Sequence, residues 1–146
     1  SSISYPLDNI YIVATANTAD VGVLGGLGFA LQRRFKTLRL ETKEINIEMA
    51  KKLLDVFRDE FESLNDDLKN KLVAEMANAW ELLKDCLKDK VENYENYMPG
   101  WAYFVDYAKL IKNSKNLGSD AAFKAASAAA YETVFNIYIE RFGCGR

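Results

Sequence analysis

The rhythm of apolar positions changes near residue 42. Beyond it, Ala50, Leu53, Leu54, Phe57, Phe61 and Leu64 recur at helical spacing and predict a helix over about 46–63. Asn65-Asp66-Asp67 then offers an N-cap and an acidic first turn. Leu68, Leu72, Met76, Trp80 (or Ala79), Leu83, Leu87 and Val91 form the stripe of a second helix, read as core packing. Met98-Pro99-Gly100 breaks the pattern before a third helix over about 101–112. A polar loop over 113–118 leads to Ser119, a cap, and Asp120, favourable in a first turn. The fourth helix begins alanine-rich and continues through Tyr131, Val134, Phe135, Tyr138 and Phe142 to a stop at Gly143. It is apolar on more than one face, so it is expected to be largely buried.

Residues 1–41 follow a different pattern. Ile10-Tyr11-Ile12-Val13-Ala14 is uncharged on both faces and reads as a strand buried on both sides. Thr37-Leu38-Arg39-Leu40 alternates and reads as a second, short strand. Between them lie Gly22, Gly25, Gly26 and Gly28, and a short helix is expected from Leu27 to Phe35. The expected fold class is therefore mainly α: a four-helix bundle over 42–146, preceded by a strand-helix-strand piece over 1–41.

Composition narrows the chemistry. The chain has 146 residues, 49% hydrophobic and 27% charged, which is enough for a core and ordinary for a globular protein. A net charge of −2 gives no field directed at nucleic acid or an anionic membrane, and direct binding to either is not expected. The chain contains no histidine, which removes Ser-His-Asp and Cys-His triads and histidine-ligated zinc or haem. The two cysteines, Cys86 and Cys144, have no CxxC spacing and do not read as a disulfide scaffold, so a reducing, cytoplasmic setting is the expectation. Cys86 reads as a small buried or half-buried apolar residue. No apolar run reaches the roughly 20 residues of a membrane span. The first residues lack the pattern of a signal peptide.

The chemistry-bearing stretch runs from Ile10 to Asp20 and from Leu27 to Phe35. An apolar strand ends in Asn17, Asp20 follows, and a short helix ends in Arg33-Arg34. Polar residues at strand ends lie where open α/β folds bind ligands. Adjacent arginines can grip a phosphate with bidentate geometry. Taken alone, Asn17 is equally a turn-forming residue, and the arginines a solvated pair at a helix end.

This stretch resembles the sensor-1 strand and arginine-finger helix of AAA+ ATPases, most closely the McrB/MoxR-type branch. The match comprises Ala14-Thr15-Ala16-Asn17-Thr18-Ala19-Asp20, then Leu27, Ala30-Leu31 and Arg33-Arg34-Phe35. The resemblance implies that Asn17 orients the attacking water, with Asp20 beside the nucleotide. It implies that Arg33 or Arg34 acts on the nucleotide of a neighbouring subunit in a homo-oligomeric ring. The strand-helix-strand piece over 1–41 would then be the last part of the α/β core, and 42–146 the helical lid. Pro99-Gly100-Trp101-Ala102-Tyr103-Phe104 is similar to a lid segment of the same branch, with Trp101 replacing a histidine. Trp101, Tyr103 and Phe104 are otherwise read as core packing of the lid.

The family also needs a GxxxxGK[ST] phosphate loop and a hydrophobic strand ending in an acidic pair for Mg²⁺, and neither stands in this sequence. Their absence is what a C-terminal portion would show. The resemblance thus implies ATP or GTP, with Mg²⁺, in a longer protein, and none bound to this chain alone. It implies a remodelled partner, such as a nuclease subunit or a metal-insertion target. A different reading is a self-standing helical interaction module without nucleotide affinity. Two short strands make no stable sheet, so Ile10–Val13 would need partners from elsewhere or would pack on the helices.

Overall fold

A computed structural model describes residues 2–6, 8–15, 33–36, 38, 40 and 43–146. The chain divides into two compact units, Ser1–Leu38 and Arg39–Arg146.

The second unit is helical. Its elements are α1 (Ile47–Val56), α2 (Arg58–Phe61), α3 (Asp66–Lys88), a 3₁₀ turn (Tyr94–Asn96), α4 (Trp101–Lys112), α5 (Asp120–Val134) and α6 (Asn136–Phe142). Three helices begin at side-chain caps. The Oδ1 of Asn46 accepts from the Met49 N–H and that of Asn65 from the Leu68 N–H, both at 2.8 Å. Ser119 Oγ accepts from the Ala122 N–H at 3.1 Å. Each satisfies a donor that the first helical turn leaves without an intrahelical partner.

α3 is the central element and packs against α1, α4, the 3₁₀ turn and α6; α4 also packs along α5. Of its expected stripe, Leu72, Met76, Trp80 (with Ala79), Leu83 and Leu87 are buried, as is Val73 beside them, while Leu68 is half-buried and Val91 is half-buried beyond the helix end. Facing it are Leu53 and Leu54 of α1, Phe61 of α2, and Phe104, Tyr107 and Ile111 of α4. Phe135 lies at the heart of an aromatic cluster, with ring centroids 5.0 Å from Tyr131, 5.3 Å from Phe104 and 5.7 Å from Tyr107.

Two expected helices are interrupted. The first breaks at Phe57, which has φ −99° and ψ 31°. Phe57 is 40% exposed rather than buried, and the Lys109 ammonium sits 5.8 Å from its ring centre. The fourth breaks at Phe135, with φ −100° and ψ 23°. There the fully buried ring enters the core and redirects the chain into α6. The alanine-rich helix is not largely buried. Only Phe123, Ser127, Ala130 and Tyr131 of α5 are inside, while Ala121, Ala125, Ala128 and Ala129 face outward. Alanine stands there for its helix propensity rather than for packing.

The strand-helix-strand expectation is not supported. Residues 10–14 form no strand, and Ile10, Tyr11, Ile12 and Val13 are 57%, 95%, 65% and 89% exposed. A run apolar on both faces becomes a strand only when neighbours hydrogen-bond its backbone, and the described residues provide none. Leu38 and Leu40 are likewise exposed and outside any strand, while Thr37 and Arg39 lie outside the described residues. Of the helix expected over 27–35, residues 27–32 lie outside the described residues, and 33–35 form a turn and bend.

Candidate functional site

Asn17 and Asp20 lie outside the described residues. Arg33 and Arg34 occupy a turn in the first unit and are exposed.

In the helical unit, the segment from Pro99 to Phe104 separates into two behaviours. Phe104 is fully buried against Trp80, with ring centroids 5.6 Å apart. Trp101 and Tyr103 are 41% and 38% exposed, so core packing holds for Phe104 but not for them. Trp101 Nε1 donates to the Lys43 carbonyl at 3.3 Å, which ties the start of α4 to the segment before α1. Tyr103 lies at the edge of the aromatic cluster, 6.3 Å from Phe135 and 6.4 Å from Tyr138.

A cleft of about 230 Å³ is lined by Glu44, Trp80, Lys84, Tyr94, Glu95 and Met98. Lys84 is engaged by Glu81 at 2.9 Å, and that hydrogen bond raises the lysine pKa. Trp80 Nε1 is buried and has no hydrogen-bond partner among the described residues. The hollow is smaller than the roughly 300–1,000 Å³ of typical small-molecule sites. Among the described residues, no group of three or more His, Cys, Asp or Glu side chains is arranged to hold a metal ion. No helix among them is long and apolar enough to cross a membrane.

The most connected polar group was not visible in the sequence. Tyr107 Oη donates to Glu75 Oε2 at 3.0 Å and accepts from Arg146 Nη1 at 3.1 Å. Arg146 Nη2 closes the triangle on Glu75 Oε2 at 2.8 Å. Nearby, Tyr131 Oη donates to the Cys144 carbonyl at 2.7 Å. Burial, reinforced by the Glu75 charge, pushes the Tyr107 phenol well above its ordinary range. Burial likewise raises Tyr131 to about 12, against the opposing influence of Arg146.

The cysteines correct the expectation of two separate thiols. Cys86, on the last turns of α3, and Cys144 form a disulfide with their Cα atoms 5.7 Å apart. Cys86 is half-buried as expected, but it is bonded rather than free. The link bridges 58 positions, so nothing in local spacing signals it. Arg146 and Glu75 are 71 positions apart and equally silent in the sequence.

Comparison with known protein families, curated proteins and solved structures returns no match for this chain.

Proposed function

We propose that this chain is the C-terminal part of an AAA+ nucleoside triphosphatase resembling the McrB/MoxR branch. In the longer protein, hydrolysis of ATP or GTP with Mg²⁺ would drive remodelling of a protein partner. The observation that carries the reading is the order Ala14-Thr15-Ala16-Asn17-Thr18-Ala19-Asp20, then Arg33-Arg34-Phe35, followed directly by a helical unit. Two further features support it. Arg33 and Arg34 are exposed, as a finger offered to a neighbouring subunit must be. Ile10–Val13 leave apolar side chains in solvent, which suits a strand completed by sheet neighbours outside the described residues.

Asn17 and Asp20 take the water-orienting and nucleotide-side roles, and Arg33 or Arg34 the role in trans. An arginine suits that position because negative charge develops on the transferring phosphoryl group. The sequence holds no phosphate-loop lysine and no hydrophobic strand ending in an acidic metal pair, so no step through bound nucleotide is assigned to the chain alone. A cytoplasmic setting belongs to the same reading.

The test uses a longer protein that carries a phosphate loop upstream of Ser1. Replacing both Arg33 and Arg34 by alanine abolishes hydrolysis and spares nucleotide binding. Unchanged turnover in that double variant overturns the assignment.

A second reading is a self-standing helical interaction module without nucleotide affinity; the core that residues 45–144 assemble among themselves is common to both readings. Sedimentation and circular dichroism of residues 42–146 discriminate. A folded monomeric fragment is the outcome for a detached lid. Collapse without residues 1–41 favours the autonomous module.

A further inference from the structure

We propose that Cys86 and Cys144 form a reversible redox clasp, opened by a dithiol reductant, that decides whether residues 143–146 stay docked on the helical unit. This goes beyond the nucleotide reading and does not depend on it.

The two sulfurs differ in access. Cys144 is 1% exposed, whereas Cys86 is half-buried at the rim. An incoming thiolate therefore reaches Cys86 first. Lys90 Nζ stands 3.5 Å from Cys86 Sγ and also donates to the Phe142 carbonyl. An ammonium at that distance favours the thiolate form of Cys86 once the bond is open. Cys86 is thus the reactive member of the pair and Cys144 the protected one.

The held segment is short, and besides the disulfide a handful of hydrogen bonds fix it. α6 ends at Gly143 in the left-handed conformation, φ 66°. Its N–H bonds to the Ile139 carbonyl and that of Cys144 to the Tyr138 carbonyl, a common way to close a helix. Beyond that, residues 143–146 are held by the Tyr131 hydroxyl and by the Arg146 contacts to Glu75 and Tyr107. Cys144 is the only one of the four that is buried. The core of Leu72, Met76, Leu83, Phe104 and Phe135 belongs to the helices. Opening the bond frees the segment and leaves that core in place.

The exchange is balanced. A thiolate of the reductant bonds to Cys86 Sγ, the bond between Cys86 and Cys144 breaks, and the Cys144 sulfur leaves as a thiolate and takes a proton. The second thiol of the reductant then attacks its own sulfur in the mixed disulfide and releases Cys86 as a thiolate facing Lys90. The reductant ends as a disulfide, having given two electrons. An oxidising disulfide reverses the sequence.

The intact 146-residue chain is treated with dithiothreitol, then alkylated and weighed, with hydrogen exchange and circular dichroism read in parallel. Two alkylated thiols are expected. Amide exchange over 143–146 should accelerate about tenfold or more, with the helical signal unchanged. Oxidised glutathione should restore protection. Cys144→Ser should show the fast exchange without reductant. Lys90→Met should slow alkylation of reduced Cys86 at neutral pH by about threefold or more, since the thiolate fraction falls. Unchanged exchange after complete reduction overturns the clasp. So does cooperative loss of helix on reduction, which would make the bond a staple of the whole fold. Failure of the reduced chain to re-form the bond under oxidised glutathione overturns it as well.

Discussion

Arg146 sets its guanidinium 2.8 Å from the Glu75 carboxylate, although 71 positions separate the two residues. The Glu75 side chain is only 13% exposed, and the same oxygen accepts the Tyr107 hydroxyl. A carboxylate so placed depends on its partner, because an unpaired charge in a half-dry site keeps its desolvation cost. Arg146→Met is expected to cost about 1–3 kcal/mol in urea denaturation, while Glu75→Gln, which keeps an acceptor for Tyr107, costs less. The double variant should cost less than the sum of the singles, because removing both partners leaves no orphaned charge. Additive losses would show that the pair does not interact.

Alkaline pH should loosen this same region. Burial raises Tyr131 and Tyr138 to about 12 each, with Tyr103 adding to the rise at Tyr138, and drives Tyr107 further in the same direction. The unfolded phenol ionises near pH 10. Because the folded pKa values lie above that, the stability linked to the neutral phenols is fully present below about pH 10 and is lost as pH rises toward 12. Tyrosinate absorbance should therefore lag behind that of a denatured control, and the urea midpoint should fall across this window. Superimposable folded and denatured titrations would contradict the buried hydroxyls.

The helix caps give a local prediction. Asn46, Asn65 and Ser119 each accept a backbone N–H at the start of α1, α3 and α5. Alanine at any of them should cost about 1 kcal/mol. That corresponds to a fall in Tm of about 3–6 °C for a domain of this size. A glycine at the same positions should cost only a few tenths of a kcal/mol.

Phe135 gives a larger one. Its ring contacts Tyr103, Phe104, Tyr107, Tyr131 and Tyr138, and its backbone turns α5 into α6. Phe135→Ala removes a fully buried ring from the centre of five others. The expected cost is about 3–5 kcal/mol, a large share of the 5–15 kcal/mol typical of a domain. Phe135→Leu refills part of the space and should recover part of the loss. Equal stability of the two variants would mean that the ring does not fill the core.

The contrast between the caps and Phe135 marks what was legible in the sequence. Asn65 and Ser119 declare helix starts within three residues, and the stripe from Leu72 to Leu87 declares its buried face, because both signals are local. The breaks at Phe57 and Phe135 carry no glycine or proline. Periodicity, which tracks only which face is apolar, does not encode them. The Cys86–Cys144 bond and the Glu75–Arg146 pair join distant positions and were invisible for the same reason. Ile10–Val13 misled through its composition: β-branched and aromatic residues favour a strand only where neighbours complete the ladder. The proposed nucleotide-facing residues Asn17, Asp20, Arg33 and Arg34 were legible only as an ordered motif, since each residue alone has an ordinary role.

That motif makes a prediction about what Arg33 and Arg34 do not do. Both are exposed in a turn. Surface substitutions of this kind usually change stability by no more than about 0.5 kcal/mol. Arg33→Ala, Arg34→Ala and the double variant should therefore match the parent chain in Tm within about 2 °C. Under the proposed reading, loss of nucleotide hydrolysis in a longer protein carrying a phosphate loop would then report on the transferring phosphate and not on folding. Single variants should separate the two residues, because an arginine finger lost from a phosphoryl-transfer site costs about 10³–10⁵ in turnover and a bystander costs almost nothing. A clear drop in Tm for either variant would place that guanidinium in the structure of the first unit and remove it from the catalytic reading.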